Sequence, residues 1–508
     1  MRPAAGRLRL SGWWALVPAL GVILGLLPRI PIATLHEDEG VVTMWGLDIL
    51  AGRVPYRDFD VYVAPPLAYL YGASFGLFGS AVLVDRLLLL LPMLLGTVLL
   101  AVIARQLLSP AWAAAVALLW GVWLPAFVGY GAYHFWGPAL VLAMAAALLR
   151  PRFNAVLAGL AGAAALAFYQ AMLPAVLAGL VVAYLTRRCW RDALAMAAGP
   201  VVVALFLLAY LLVTGTFGAF LDQTLGFTFG RYQDFNREPF PWNPLLLGDS
   251  LNWHSGFAAY WEFPMFWLLA IVAPFVIAGY ALVATLRVAV RRAALTPAVA
   301  VAVVSTGLFA TAFVAHIGGP VAWLSAPLVL VLMAARLRRI TDFPSGGRRW
   351  ATRAPAGLLL LAGLSPLPSG YWLSCLSNPA GPLVNVSTLA GSICLRPTEA
   401  AQLDTVEKAV PGLRGAGEVA FLPTSPGLYQ LTASRPPIPS YWVLPRHTRP
   451  SELAWTEAAI LQRVGSIVYV ADPELDTGHP WPFDEFLAAH FRRTEASPGV
   501  TVFERNRG

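Results

Sequence analysis

Three acidic side chains in a row, Glu37-Asp38-Glu39, follow His36 and precede Gly40 near the start of the chain. Neighbouring carboxylates repel one another, which raises the pKa of at least one of them. A helix beginning here would add an opposing pull, because its positive end favours the ionised form. Acids held between these effects suit a general base or a clamp for a cation. The plainer alternative is capping alone, with Asp38 closing the N-terminus of a helix. An amphipathic helix is expected to run from the acids to Leu50 and end in a turn at Ala51-Gly52-Arg53. Val54-Pro55-Tyr56-Arg57-Asp58-Phe59-Asp60 and Ala64-Pro65-Pro66-Leu67 come next. Glu37, Asp38, Glu39 and Asp58 could hold Mg²⁺ or Mn²⁺, or act without a metal.

The order of these pieces matters. Asp38-Glu39-Gly40, then the run from Ala51 to Phe59, then Pro65-Pro66-Leu67, resembles the first outer loop of the GT-C glycosyltransferases over about 45 residues. Within them it is most similar to the bacterial branch related to protein mannosyltransferases, aminoarabinose transferases and the rhizobial core-oligosaccharide transferases. The resemblance implies a polytopic helical membrane enzyme. Such an enzyme moves a sugar from a polyprenyl-phosphate donor to a lipid, glycan or protein acceptor on the outer face, inverting the sugar carbon in one displacement. The first acid of the family's Asp-Glu pair, here Asp38, would take the acceptor's proton, with Glu39 beside it. Glu37 is an extra acid that could slide this assignment by one. Cations near the lipid phosphate would stabilise the charge that develops as it leaves, and Arg57, His316 and Arg231 are the candidates. The chain departs from the family at two places. No Arg-Pro-Asp stands upstream of His316, and Phe168-Tyr169-Gln170 replaces a lysine near the fifth span.

Composition specifies the scaffold for these residues. Of 508 residues, 58% are hydrophobic and 12% charged, with a mean hydropathy of +0.66. Ordinary globular chains carry about 25% charged residues, so a mainly soluble or disordered protein is excluded. The stretches 106–149, 154–186, 193–221, 263–286, 293–335 and 354–395 contain no Asp, Glu, Lys or Arg. A spanning helix needs about 20 apolar residues. About eleven transmembrane helices are therefore expected, at 11–31, 81–104, 108–125, 134–150, 154–169, 171–187, 193–214, 264–286, 297–315, 320–336 and 354–374.

Charge orients this layout. With the N-terminus cytoplasmic, the inner segments hold 18 arginines and only Asp192 and Asp342, whereas the remainder carries a net charge of −8. Arginine excess on the inner side is the ordinary orientation signal, so the overall charge of +8 reports topology and no nucleic-acid partner is implied. The basic, apolar N-terminus reads as an uncleaved signal anchor in a bacterial inner membrane.

Residues 1–374 thus form a membrane module with outer loops at 32–80 and 216–263, and 375–508 form a small outer α/β domain. In the latter, Glu418–Leu422, Ser466–Asp472 and Val500–Glu504 read as strands, and Thr398–Val410, Glu452–Val464 and Phe483–Phe491 as helices. Cys375 and Cys394, both on the oxidising outer side, are expected to pair. His134, Gln170 and His316 sit at short outer turns that face the acidic loop, and with Asp58 would line a cavity there. The second outer loop is rich in aromatics, with Arg231 among them. A transporter or flippase of lipid-linked sugars, or a non-catalytic scaffold with an outer binding domain, are the competing readings. Transporters built from inverted halves carry internal repeats, and none is visible in this sequence.

Overall fold

The structure is a computed structural model, which describes residues 13–26, 38–123, 133–150, 154–230, 272–315, 323–341, 384–395, 397–413, 418–443, 448–470, 481 and 483–506. Apolar helices occupy ten of the eleven expected spans, and the eleventh, 354–374, lies outside the described residues. The chain runs through α1 (Trp13–Leu26), α2 (Asp38–Leu50), α3 (Pro66–Phe78), α4 (Val82–Ala104), α5 (Pro110–Trp123) and α6 (Tyr133–Leu148). It continues with α7 (Ala155–Phe168), α8 (Leu173–Arg187) and α9 (Trp190–Val213), then helices Ala273–Arg291, Pro297–Ala315 and Ala326–Thr341. Among the described helices, Val82–Ala104, Gln170–Arg187, Trp190–Val213 and Ala273–Arg291 are long and apolar enough to cross a membrane.

Small residues let the helices approach closely, as membrane bundles require. A Cβ at Gly159 in α7 would stand 2.3 Å from the Met196 carbonyl oxygen of α9, and one at Gly199 would stand 2.5 Å from that of Gly159. The α7–α8 hairpin, expected from its flanking arginines, is formed by two short helices, the first capped by Asn154 accepting from the Leu157 amide at 3.0 Å. Two helix ends differ from expectation. Helix Ala273–Arg291 runs past 286 through Arg287, and Ala326–Thr341 past 336 through Arg338 and Arg339. Arginine stems cover apolar surface while their heads reach water, so charge does not end a helix. Arg188, just past α8, donates to the carbonyl of Ala293 at 3.2 Å, which brings two of the expected inner turns to one end of the bundle.

The C-terminal part is α/β. A hairpin of β1 (Val384–Thr388) and β2 (Gly391–Leu395) precedes a four-stranded sheet in the order β3 (Glu418–Leu422), β4 (Val464–Val470), β6 (Val500–Arg505), β5 (Phe491–Ser497). The β3–β4 pair is parallel and the others antiparallel. All three predicted strands and all three predicted helices are present, within a few residues. The β1–β2 hairpin and β5 are additional, because Phe491–Ser497 carries Arg492, Arg493 and Glu495 and reads as polar. Cys394 lies buried on β2 with a free thiol, and Cys375 is outside the described residues.

Trp45, Phe59, Leu67 and Tyr71 are fully buried, and the C-terminal domain touches the loop after α2 through the Pro436 and Pro439 carbonyls, which accept from Arg53 and the Asp60 amide.

Candidate active site

Helix α2 begins at Asp38, so Asp38 and Glu39 occupy its first turn, as the acidic cluster predicted. Glu37 lies outside the described residues, and of Asp38 the structure describes the backbone. Glu39 is ion-paired with Arg86 near the N-terminal end of α4, where the guanidinium is buried. A cation in an apolar helix is costly unless a partner offsets it, and Glu39 is that partner. The adjacent Asp85 accepts from the Gln430 side chain at 2.6 Å, and Gln430 also donates to the Ser80 carbonyl at 2.9 Å. Gly40 permits a close approach, since a Cβ there would lie 2.9 Å from the Gly427 nitrogen and the Pro426 Cγ. The short helix Gly427–Leu431 of the C-terminal domain thereby rests on the start of α2.

At the other end of α2, Gly52 turns the chain in the left-handed region, at φ 77°. Arg53 then gathers the loop. Its guanidinium donates to Asp48 at 2.7 Å, to the Pro436 carbonyl at 3.0 Å and to the Asp58 carbonyl, and lies over the Phe59 ring. Tyr441 of the C-terminal domain donates its hydroxyl to the same Asp48. Burial pushes Asp48 up to about 7, against the pull of Arg53 and of the Tyr441 hydrogen bond. Asp58 is the opposite case. Burial would raise it, but bonds from Arg57 and the Val54 amide prevail and hold it below the usual carboxylate range. Arg57 is half-exposed and paired with Asp58 at 2.9 Å.

The raised Asp48 has a consequence for stability. The folded chain binds its proton more tightly than the unfolded chain, whose pKa is near 3.8. This contribution is therefore present below about pH 4 and is lost as pH rises through about 7, on the order of 4 kcal/mol in all. The unfolding temperature of the parent is expected to fall between about pH 4 and 7, and Asp48→Asn to reduce that slope. Parallel curves for the two proteins would count against it.

Two glutamines clamp the loop from below. Gln170, between α7 and α8, accepts from the Ala64 amide at 3.3 Å and donates to the Tyr62 carbonyl at 2.8 Å. Gln223, in the helical segment after α9, accepts from the Val61 amide at 3.1 Å and donates to the Tyr56 carbonyl at 3.2 Å. Gln170 was expected as a cavity residue, and its amide is occupied by loop backbone. His134 packs against Tyr133 and Tyr169 at 4.3 and 5.3 Å between ring centroids. Tyr62 packs in turn on Trp45, Tyr133 and Phe227.

A second charged node joins three chain segments. Arg449, buried at the head of helix Pro450–Arg463, contacts Asp60 at 2.6 Å, Asp222 at 2.7 Å and Glu452 at 3.4 Å. Burial raises both Asp60 and Glu452, against the pull of Arg449.

The structure thus places Glu39 on the first turn of α2, the Arg57–Asp58 pair on the loop after it, Gln170 against that loop's backbone and His134 beside Tyr169. Asp58 belongs to the Arg53 end of α2, and Glu39 to its start. Asp48, held by Arg53, is nine residues along the helix from Glu39, about 13 Å at 1.5 Å per residue. Among the described residues no three His, Cys, Asp or Glu side chains converge as metal ligands. His316 and Arg231 lie outside the described residues. Sequence reasoning missed Arg86, Arg53, Asp48 and the Arg449 node. Asp85-Arg86 inside an apolar run was a readable signal for the first; nothing local marks Arg449.

Among solved structures, the chain is similar to ArnT from Cupriavidus metallidurans bound to undecaprenyl phosphate, with a TM-score of 0.55 and 14% identity over 97% of this chain and 98% of that one. It is also similar to the Archaeoglobus fulgidus oligosaccharyltransferase in the apo form, at TM-score 0.50 and 12% identity over 98% of this chain and 75% of that one. Both are GT-C glycosyltransferases. The chain has the GT-C fold. No family model matches the sequence, and no curated protein matches it. At such low identity it is the shared path of the chain that is recognised. On the GT-C fold, the layer built by α2, the loop after it and the C-terminal domain is the candidate active site.

Proposed function

We propose that this protein is an inverting membrane glycosyltransferase that takes a sugar from a polyprenyl-phosphate donor and passes it to a lipid, glycan or protein acceptor. The observation that carries this reading is the acid pair Asp38-Glu39 on the first turn of α2, anchored by Arg86, on a GT-C fold. Asp38 accepts the proton of the acceptor hydroxyl or amine as that atom bonds to the sugar's anomeric carbon. The bond from that carbon to the phosphate oxygen breaks on the opposite face, and the lipid phosphate departs with the electron pair. Glu39 is held to Arg86 and orients the pair. Arg57, with Arg231 and His316, is assigned to the departing phosphate, whose growing charge fixed cations stabilise. A divalent cation beside the acids would serve the same end.

The chain sits in the bacterial inner membrane in this reading, with its N-terminus cytoplasmic and the C-terminal domain on the outer side. Mass spectrometry of lipid extracted from the purified chain tests the reading. A polyprenyl-phosphate-linked sugar is expected in the parent and in Asp38→Asn. An extract holding bulk phospholipid alone, with no transfer from any such donor, would sink it.

A further inference from the structure

Arg449 stands in the C-terminal domain, yet two of its three carboxylate partners belong to the membrane module. Asp60 comes from the first outer loop and Asp222 from the segment after α9. Glu452 holds the fork from within its own domain, and also accepts from the Arg449 amide at 3.3 Å and from the Ser440 hydroxyl. The Asp60 amide donates to the Pro439 carbonyl at 2.7 Å, so side chain and backbone of one residue are both held by the C-terminal domain.

Asp60 leads directly to the acid-bearing helix. Its carbonyl accepts the indole N–H of Trp45 at 2.9 Å, and Trp45 lies on α2, two turns from Asp38. On the other branch, Asp222 stands next to Gln223, whose amide clamps Val61 and Tyr56. Arg449 is thus placed where a single planar, always-charged fork fixes α2 and both loops at once. A lysine, as a point charge, cannot reproduce that geometry.

We propose that Arg449 is a positioning residue for sugar transfer, through which the C-terminal domain holds α2 and the two outer loops in one arrangement. The inference rests on the transferase reading, and its test separates the two. Arg449→Lys and Asp222→Asn are made in the full-length chain in liposomes. Asp222 is 56% exposed, so its variant spares the fold. Turnover is measured with a set of undecaprenyl-phosphate-linked hexoses and pentoses. Affinity is measured with undecaprenyl phosphate, and hydrogen exchange over 42–64 and 214–229.

Small misplacement of a reacting group costs up to about 10²-fold. Arg449→Lys is expected to lose about tenfold in turnover per folded molecule, with affinity unchanged and faster exchange in both segments. Asp222→Asn should lose about threefold, with faster exchange in 214–229 alone. Parent turnover in both variants overturns the proposal, and so does lost turnover with unchanged exchange. If the parent transfers no sugar from any donor, the transferase reading fails by itself. Exchange then decides whether Arg449 positions the loops: faster exchange in both segments upholds that role, and parent-like exchange overturns it.

Discussion

Asp38→Asn is expected to transfer sugar about 10²- to 10⁴-fold more slowly than the parent, the usual contribution of a positioned base. The substitution keeps size and shape and can no longer accept the acceptor's proton. Folding should be preserved, because the change is nearly isosteric and Asp38 lies at the very start of α2. Undecaprenyl phosphate should bind as before, since the phosphate is assigned to Arg57, Arg231 and His316. Glu39→Gln should cost less, by releasing Arg86 from its partner and loosening the pair. Glu37→Gln should cost least. Transfer rates for the three variants in liposomes rank the acids directly. A dead Glu37→Gln beside a fully active Asp38→Asn would move the base by one residue. Three active variants would remove this loop from the chemistry.

Arg53→Met should destabilise the folded chain by about 3–5 kcal/mol, the usual cost of removing one partner of a buried pair. Arg53 holds Asp48, the Pro436 carbonyl and the Asp58 carbonyl together. Its loss leaves Asp48 buried with only the Tyr441 hydroxyl of its two charged or polar partners. The cost should grow with pH, because an ionised Asp48 suffers most from losing its cation. Thermal unfolding of the purified chain at pH 6 and 8 measures both effects. Asp48→Leu added to Arg53→Met should recover much of the loss, since a buried charge then no longer lacks a partner. An Arg53→Met protein that melts with the parent at both pH values would show that this contact does not hold the loop.

Arg53 also marks where local reading ends. In the sequence it is only part of a turn; in the fold it ties α2 to the turn beyond it and to the C-terminal domain. Gln170 shows the same shift, from a polar group at a membrane turn to a clamp on the Tyr62 and Ala64 backbone. The reason is that a lone polar side chain in an apolar setting signals only that it must find a partner. Which partner it finds depends on segments that are distant in sequence.

The sequence alone determined the helical class, the approximate places of ten apolar helices, a helix starting near the acids and the main strands and helices of the C-terminal domain. Those features follow from runs of apolar residues, charge placement and capping, all of which act over one or two turns of chain. Only the tertiary structure decided that Arg86 answers Glu39, that Tyr441 and Arg53 share Asp48, and that Arg449 joins Asp60 to Asp222. These pairs are separated by 47 to nearly 400 residues, apart from Arg53 and Asp48. A buried charge requires an opposite charge within a few ångströms, and the long-range packing of the domain on the loop chooses which one that is.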